Sequence, residues 1–383
     1  MALIEKLEAI GDAIRAKTGG TELLTLDAMP QEIAAIETGG GGGSVEPIVL
    51  SGECEYACGG KMGAEFIKLY GDKISTKDIT GSRYMFYFST LERIPFELNY
   101  KQTTKANMAN MFDNCLSLTE VSKMNNAYPS SIAQMFKYCS HLRYLPDDLG
   151  TTWNWNEINT YSYAGLSEIF SNCHSLRKIP QSFLSNLWGK QTSGTYLPYK
   201  AMFDSCYALD EVNNVPIHQA TLSTNAFSTT FTRCYRLKNL TFATNEDGTA
   251  KTATWKSQTI DLSSNIGWTN SENNILNYNS GITKADKINN TTHSSSAEAV
   301  AAMNSNPNWY TDMYEYSRYG KNAAIATINS LPDTTVSGGT NTIKFKANAG
   351  TAYSLDGVNQ KIGDLTAEQI AVATAKGWTV SLV

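Results

Sequence analysis

Five segments of the chain align without a gap: MFDNCLSLTEV, MFKYCSHLRYL, IFSNCHSLRKI, MFDSCYALDEV and TFTRCYRLKNL. Each carries a Cys (Cys115, Cys139, Cys173, Cys206, Cys234) with a Phe three residues before it (Phe112, Phe136, Phe170, Phe203, Phe231). A Leu stands three residues after (Leu118, Leu142, Leu176, Leu209, Leu237), and an aliphatic residue three beyond that (Val121, Leu145, Ile179, Val212, Leu240). A degenerate earlier copy, YMFYFSTLERI, aligns with Phe88 at the Cys position and with Leu91 and Ile94 following. The Phe-x-x-Cys-x-x-Leu spacing is helical, so the three side chains share the inward face of a short helix or turn that leads into a short strand. One such unit cannot bury its apolar face alone. Units must stack, giving ladders of Phe, Cys and Leu through a common core. Cys, small and often buried, fits a tight ladder position.

The Cys-to-Cys intervals are 24, 34, 33 and 28 residues, so two repeats carry insertions. Trp153, Trp155, Tyr161 and Tyr163 fall in the first, and Trp188, Tyr196 and Tyr199 in the second. Insertions in a repeat array map to loops on one face, often the binding face. Aromatic rings among Asn, Thr, Ser and Gly suit a neutral amphipathic ligand such as a glycan or a partner protein. The same rings could instead cover a widened coil or pack between subunits, and the sequence leaves both readings open.

Chemistry finds little support. Lipase, zinc-protease, nucleotide-binding and dinucleotide-binding motifs are all missing, so no catalytic residues, cofactor or metal site are expected. His141 and His174 lie close to repeat cysteines, but at positions where other copies carry Ser117, Leu116, Ala208 or Tyr207. Cys54 and Cys58, if on a strand, stand about 13 Å apart, beyond disulfide reach. Reduced, structural cysteines are the expectation. Asp147-Asp148 and Glu246-Asp247 read as solvated turns rather than a glycosidase pair. Charged residues are only 17% of the chain, the net charge is −5 and no Lys/Arg cluster occurs, which argues against nucleic acid as a partner. No run of 18 apolar residues spans a membrane. Glu5, Lys6, Glu8 and Asp12 interrupt what would be a signal peptide's apolar segment, so synthesis and assembly in a cytoplasm are expected.

The head, residues 1–38, reads as a helical module. Leu3, Leu7, Ile10 and Ile14 form one helical seam suited to docking or oligomerisation, and the Gly-rich stretch 39–44 is a flexible linker. Residues 45–266 hold the repeats, with Ile260–Ile266 as a last strand. The region 267–383 reads as an α/β cap: helices over Ala297–Met303 and Ala323–Leu331, and a strand over Asn341–Lys346. A capping box at Thr366 and Gln369 opens a helix ended by Gly377, and Trp378–Val383 is a final strand.

The repeat segments resemble the BspA-type leucine-rich repeats, in the form M-F-x-x-C-x-x-L, over roughly Ile74 to Phe242. The stretch ISTKDITGSRYMF is similar to that family's approach to the motif. The resemblance implies an α/β leucine-rich-repeat solenoid with a short N-terminal helical module and an α/β C-terminal cap. The head sequence DAIRAKTGGTELLTLDAMPQEIAAI and the closing stretches YSRYGKNAAIATINSLPDT and LTAEQIAVATAKGWTV resemble phage and prophage tail and tail-fibre proteins of Gram-positive hosts. That implies a non-enzymatic virion tail component that recognises the bacterial surface. Its implied partners are a surface glycan or protein, other tail or baseplate proteins, and further copies of itself, a trimer being favoured. Rival readings are a purely structural baseplate or tail-tip subunit, a bacterial surface adhesin, and an envelope polysaccharide hydrolase.

Overall fold

In a computed structural model, each repeat segment folds as a run of tight turns. It describes residues 48–155, 166–189, 199–215, 227, 229–234, 237, 239–263, 320–347 and 362–383. In the third coil Asp113, Cys115 and Leu118 each donate a backbone N–H to the carbonyl three residues back, and the fourth coil repeats this at Lys137, Cys139 and Leu142. An α-helix is prevented because two residues per coil, four apart, have left-handed backbone. The first set is Tyr56, Tyr84, Asn110, Gln134, Glu168, Ala201 and Thr229, with φ of 50–56°. The second is Gly60, Phe88, Asn114, Tyr138, Asn172, Ser205 and Arg233, with φ of 57–65°. Left-handed backbone costs a non-glycine residue about 1–2 kcal/mol. The return is inter-coil hydrogen bonding. Asn110, Phe112 and Asn114 donate their N–H groups to Ala133, Met135 and Lys137 of the next coil, each at 2.9 Å, and equivalent bonds recur along the stack.

These bonds define seven coils and correct the alignment at two places. Phe86 N–H donates to Met111 and Phe88 N–H to Asp113, so Phe86 holds the Phe position and Ser89 the Cys position. Phe88 is therefore a left-handed turn residue, half exposed rather than a core group. One residue is missing between Ser89 and Leu91 relative to the other copies, which displaced the alignment by one. An earlier coil precedes it. Tyr56, Cys58 and Gly60 donate to Arg83, Met85 and Tyr87, so Cys54 and Cys58 lie in a turn coil rather than on a strand, with Cys58 in the place of the ladder Phe.

The core consists of parallel ladders. Phe86, Phe112, Phe136, Phe170, Phe203 and Phe231 stack ring on ring, with centroids 5.1 to 5.9 Å apart. Beside them each cysteine thiol donates to the Phe carbonyl of the preceding coil: Cys115 to Phe86, Cys139 to Phe112, Cys173 to Phe136, Cys206 to Phe170 and Cys234 to Phe203, at 2.9 to 3.2 Å. A ladder cysteine thus fills space and adds a second donor to a carbonyl that already accepts a backbone N–H of its own coil, a bond that Ala or Val could not make. All seven cysteines are buried, and none is in a disulfide.

Short parallel pairings line the stack: β1 (Ile48–Glu53) with β2 (Ile74–Gly81), β3 (Leu98–Asn99) with β5 (Met124–Asn125), β4 (Ala106–Asn107) with β6 (Pro129–Ser131), and β7 (Glu211–Val215) with β8 (Asn239–Phe242). Helix α1 (Gly60–Tyr70) follows the first coil, and α2 (Gln181–Gly189) follows the fifth.

The chain divides into compact units Met1–Ile48 and Val49–Val383, and the described elements, apart from the first residue of β1, belong to the second. At its C-terminal end lie α3 (Lys321–Ser330), α4 (Ala367–Ala375) and a parallel sheet of β9 (Thr259–Asp261), β10 (Asn341–Phe345) and β11 (Trp378–Leu382), with β10 central. Helix α3 bonds to β8 through side chains. Thr327 Oγ1 donates to Leu240 O, and Phe242 N–H donates to Ser330 Oγ. The Thr366–Gln369 capping box and the left-handed Gly377 (φ 80°) bound α4 as the residue pattern predicts. Buried Asn341 ties the sheet to the preceding chain, accepting from Gln258 N–H and donating to Trp255 O and Thr334 Oγ1.

Candidate ligand-binding face

The aromatic residues of the insertions do not form an open surface. Trp153 and Trp155 are buried, with rings 5.2 Å apart and packed edge-on to Phe183 of α2. Both indole N–H groups are used internally, Trp153 donating to Met124 O and Trp155 to Gly150 O. Tyr199 is also buried and stacks on Phe227 at 5.2 Å, one rung of a second core ladder, and burial pushes its phenol well up. Of the two readings the sequence left open, burial of these three matches packing within a widened coil rather than ligand contact. Trp188 falls within α2 and its side chain lies outside the described residues, as do Tyr161, Tyr163 and Tyr196. The seam residues Leu3, Leu7, Ile10 and Ile14 lie outside them too.

A cluster of part-exposed aromatics sits on the turn face of the first two coils, while Tyr138 and Tyr144 are exposed further along. Tyr56 and Tyr84 hold the same left-handed position in successive coils, which brings their rings into a parallel stack at 4.8 Å. Tyr87 meets Tyr84 edge-on at 5.1 Å, and Phe88 meets Tyr87 edge-on at 4.5 Å. Four rings thus form one continuous strip. Tyr56 is 47% exposed and Phe88 51%. The Arg83 guanidinium lies 4.7 Å from the Tyr84 ring centre and pairs with Glu55 at 3.9 Å, both side chains half exposed.

Along the same turn face the third to fifth coils carry amides and carboxylates, with the exposed Tyr138 ring at the second left-handed position of the fourth coil. Asn110 donates to Asp113 and to Gln134, Asn114 donates to Asp113, and Gln134 donates to Glu168, which also pairs with Lys137. Burial raises the Asp113 carboxyl above its usual range, although the two Asn side chains and Lys137 oppose the shift. Burial, with the Asp113 charge next, raises the Tyr87 phenol, so it stays a neutral hydrogen-bonding group.

Nucleophilic chemistry has no purchase on the thiol ladder. Burial pushes the thiols of Cys139, Cys173, Cys206 and Cys234 upward, away from the thiolate a nucleophile needs. His174 lies against Tyr207, ring on ring at 4.4 Å, and burial, then His141 and Arg233, lowers its pKa to about 4, so the ring is neutral at pH 7. Among the described residues no group of three or more His, Cys, Asp or Glu is placed to hold a metal ion, and no helix is long and apolar enough to cross a membrane.

Comparison with known proteins finds no matching family model, no matching curated protein and no matching solved structure. Sequence reasoning passed over the Tyr56–Phe88 strip because Phe88 was placed in the core by the displaced alignment. The signal was present in the Met85-Phe86 pair, which matches Met111-Phe112 directly and puts Tyr84, Tyr87 and Phe88 on the turns.

Proposed function

We propose that the protein is a non-enzymatic tail component of a bacteriophage, in which a leucine-rich-repeat solenoid displays a surface for recognising the bacterial host. The observation that carries this reading is the strip of four rings held on a rigid turn face, beside amides already fixed by hydrogen bonds. Preformed aromatic surface of this kind binds with little ordering cost. The stacked coils supply the rigidity, because every coil is bonded to the next at alternate backbone N–H groups. The resemblance of the two chain ends to phage tail proteins supports the placement in a virion. Repeated copies on one particle would turn weak single contacts into firm attachment through effective concentration.

Fluorescently labelled full-length protein, titrated onto cells of a panel of Gram-positive strains, tests the reading. Saturable binding to some strains and not others is the expected result. A folded protein that binds no strain, yet assembles tightly with another tail subunit, would instead make it a structural piece of the tail.

A further inference from the structure

Among the described residues the arginines of the stack follow one rule, and Arg143 breaks it. Arg83 pairs with Glu55, Arg93 with Glu120, Arg177 with Asp210 and Arg233 with Asp204, each across neighbouring coils. No carboxylate among the described residues pairs with Arg143 of the fourth coil, and its Nε–H, closed off from water, finds no acceptor. A partly desolvated cation costs free energy unless it is paired. Its neighbours in the stack supply no partner. Arg143 N–H donates to Thr119 O, Tyr144 bridges Glu120, and Ser175 N–H donates to Ser140 O, so residues around the ladder Leu lie beside their counterparts in the next coil. Arg143 thus stands between Thr119 and Arg177, and Tyr144 between Glu120 and Lys178, in coils whose Phe rungs are 5.3 and 5.5 Å apart. Like charges on neighbouring rungs repel. Glu120 is held by Arg93 on its other side, and Asp210 neutralises Arg177, not Arg143. Lys178 is exposed, and Tyr144 is 58% exposed.

From this we infer that Arg143, Tyr144 and Lys178 form a binding subsite for an oxyanion, the phosphate or carboxylate group of a charged polymer. The inference deepens the host-recognition reading and rests on it for its biological setting. With Nε closed off, the terminal N–H groups of the guanidinium are left to hold the ligand, and two of them match two oxygens of a phosphate or carboxylate. The Lys178 ammonium adds a second positive charge with no fixed geometry. Tyr144, next to Arg143 in the chain and beside Lys178 in the stack, offers a neutral phenol and a ring face. The ligand is a polymer because one exposed ion pair holds an isolated anion weakly, whereas repeated contacts add through effective concentration.

Full-length protein is titrated with oligo(glycerol phosphate), poly-γ-glutamate and uncharged dextran at low and high salt, and thermal midpoints and cell binding are measured alongside. The variants are Arg143→Met, which keeps the stem and removes the charge with its orphaned donor, and Lys178→Gln. Lys61→Gln, on exposed surface of α1, removes the same charge elsewhere. The expected result is saturable, salt-sensitive binding of at least one anionic polymer and none of dextran. Arg143→Met should weaken it roughly tenfold and Lys178→Gln less, with Lys61→Gln unchanged and the midpoint of Arg143→Met equal to the wild type's or higher. Preference for oligo(glycerol phosphate) assigns a phosphate ligand, and preference for poly-γ-glutamate a carboxylate. Binding of neither polymer, an equal loss in Lys61→Gln, or a lowered midpoint in Arg143→Met overturns the subsite. Cell binding that Arg143→Met and Lys178→Gln both leave intact, without polymer binding, keeps host recognition and removes the subsite. Variant-sensitive polymer binding without cell binding supports the subsite and removes the host-recognition reading.

Discussion

Two groups of aromatic residues in the same stack meet opposite fates. Trp153 and Trp155 of an insertion pack on Phe183 of α2, with their indole N–H groups donated to Met124 O and Gly150 O. Tyr56, Tyr84, Tyr87 and Phe88 lie on turns at the surface of the first two coils, three of them with left-handed backbone. Composition does not separate the groups, since both are rings among small polar residues. Backbone conformation does. The ladder positions lie between the left-handed ones, which in the first two coils carry rings that stay part-exposed, whereas the Trp153–Trp155 insertion packs its rings against Phe183.

The largest effect expected from this contrast is on the inward side. Phe136 lies between Phe112 at 5.3 Å and Phe170 at 5.5 Å and is fully buried. Phe136→Ala should lower unfolding free energy by about 3–5 kcal/mol, read by urea denaturation. A loss near 1 kcal/mol would mean the ladder does not hold the coils together. Next comes Gly150→Ala. Gly150 has φ of 79°, and a Cβ there would sit 2.7 Å from Trp155 Cζ2 and 3.1 Å from Phe183 Cδ2. Overpacking and backbone strain together should cost about 2–3 kcal/mol. A neutral substitution would show that the Trp153–Trp155 pair is free to move outward, which would reopen those rings as a ligand surface.

Much of the fold was legible. The Phe, Cys and Leu positions gave the ladders, and the C-terminal elements α3, β10, α4 and β11 follow from apolar spacing, Pro332, the Thr366 capping box and Gly377. What escaped had physical causes. The first coil has Cys58 where the others have Phe, so its segment lacks the motif that identifies a repeat. The left-handed positions carry Tyr, Phe, Gln, Glu, Ala, Ser, Thr and Arg as well as Asn and Gly, so no residue type marks them. Burial of Trp153 and Trp155 depends on a contact with Phe183, almost thirty residues away, which local pattern cannot supply. The Tyr56–Phe88 strip was hidden by a one-residue deletion after Ser89.

A smaller effect concerns pH. His174 has a folded pKa lowered to about 4, first by burial, against about 6.5 when unfolded. Between those values the unfolded chain binds the proton that the folded chain refuses, so stability falls as pH drops from 7 toward 4 and is unaffected by this group above 7. Part of the ring faces solvent, so the contribution at pH 4.5 is about 1 kcal/mol after screening. Comparing His174→Gln with the wild type by denaturation at pH 7 and pH 4.5 should show a smaller loss in the variant. An equal loss would mean that the His174–Tyr207 stack opens freely enough to admit the charge.

The smallest effect is the most diagnostic of the outward group. Phe86 and Phe88 are two residues apart in the same coil, one buried in the ladder and one half exposed on the turn. Phe88→Asn removes an edge-on contact with Tyr87 and some apolar cover, but it relieves a left-handed backbone that disfavours Phe and tolerates Asn. The terms are similar in size and opposite in sign, so unfolding free energy should change by less than about 0.5 kcal/mol. Phe86→Asn would place an amide in the ring ladder and should unfold the stack. If Phe88→Asn instead cost several kcal/mol, the strip would be a structural part of the first coils.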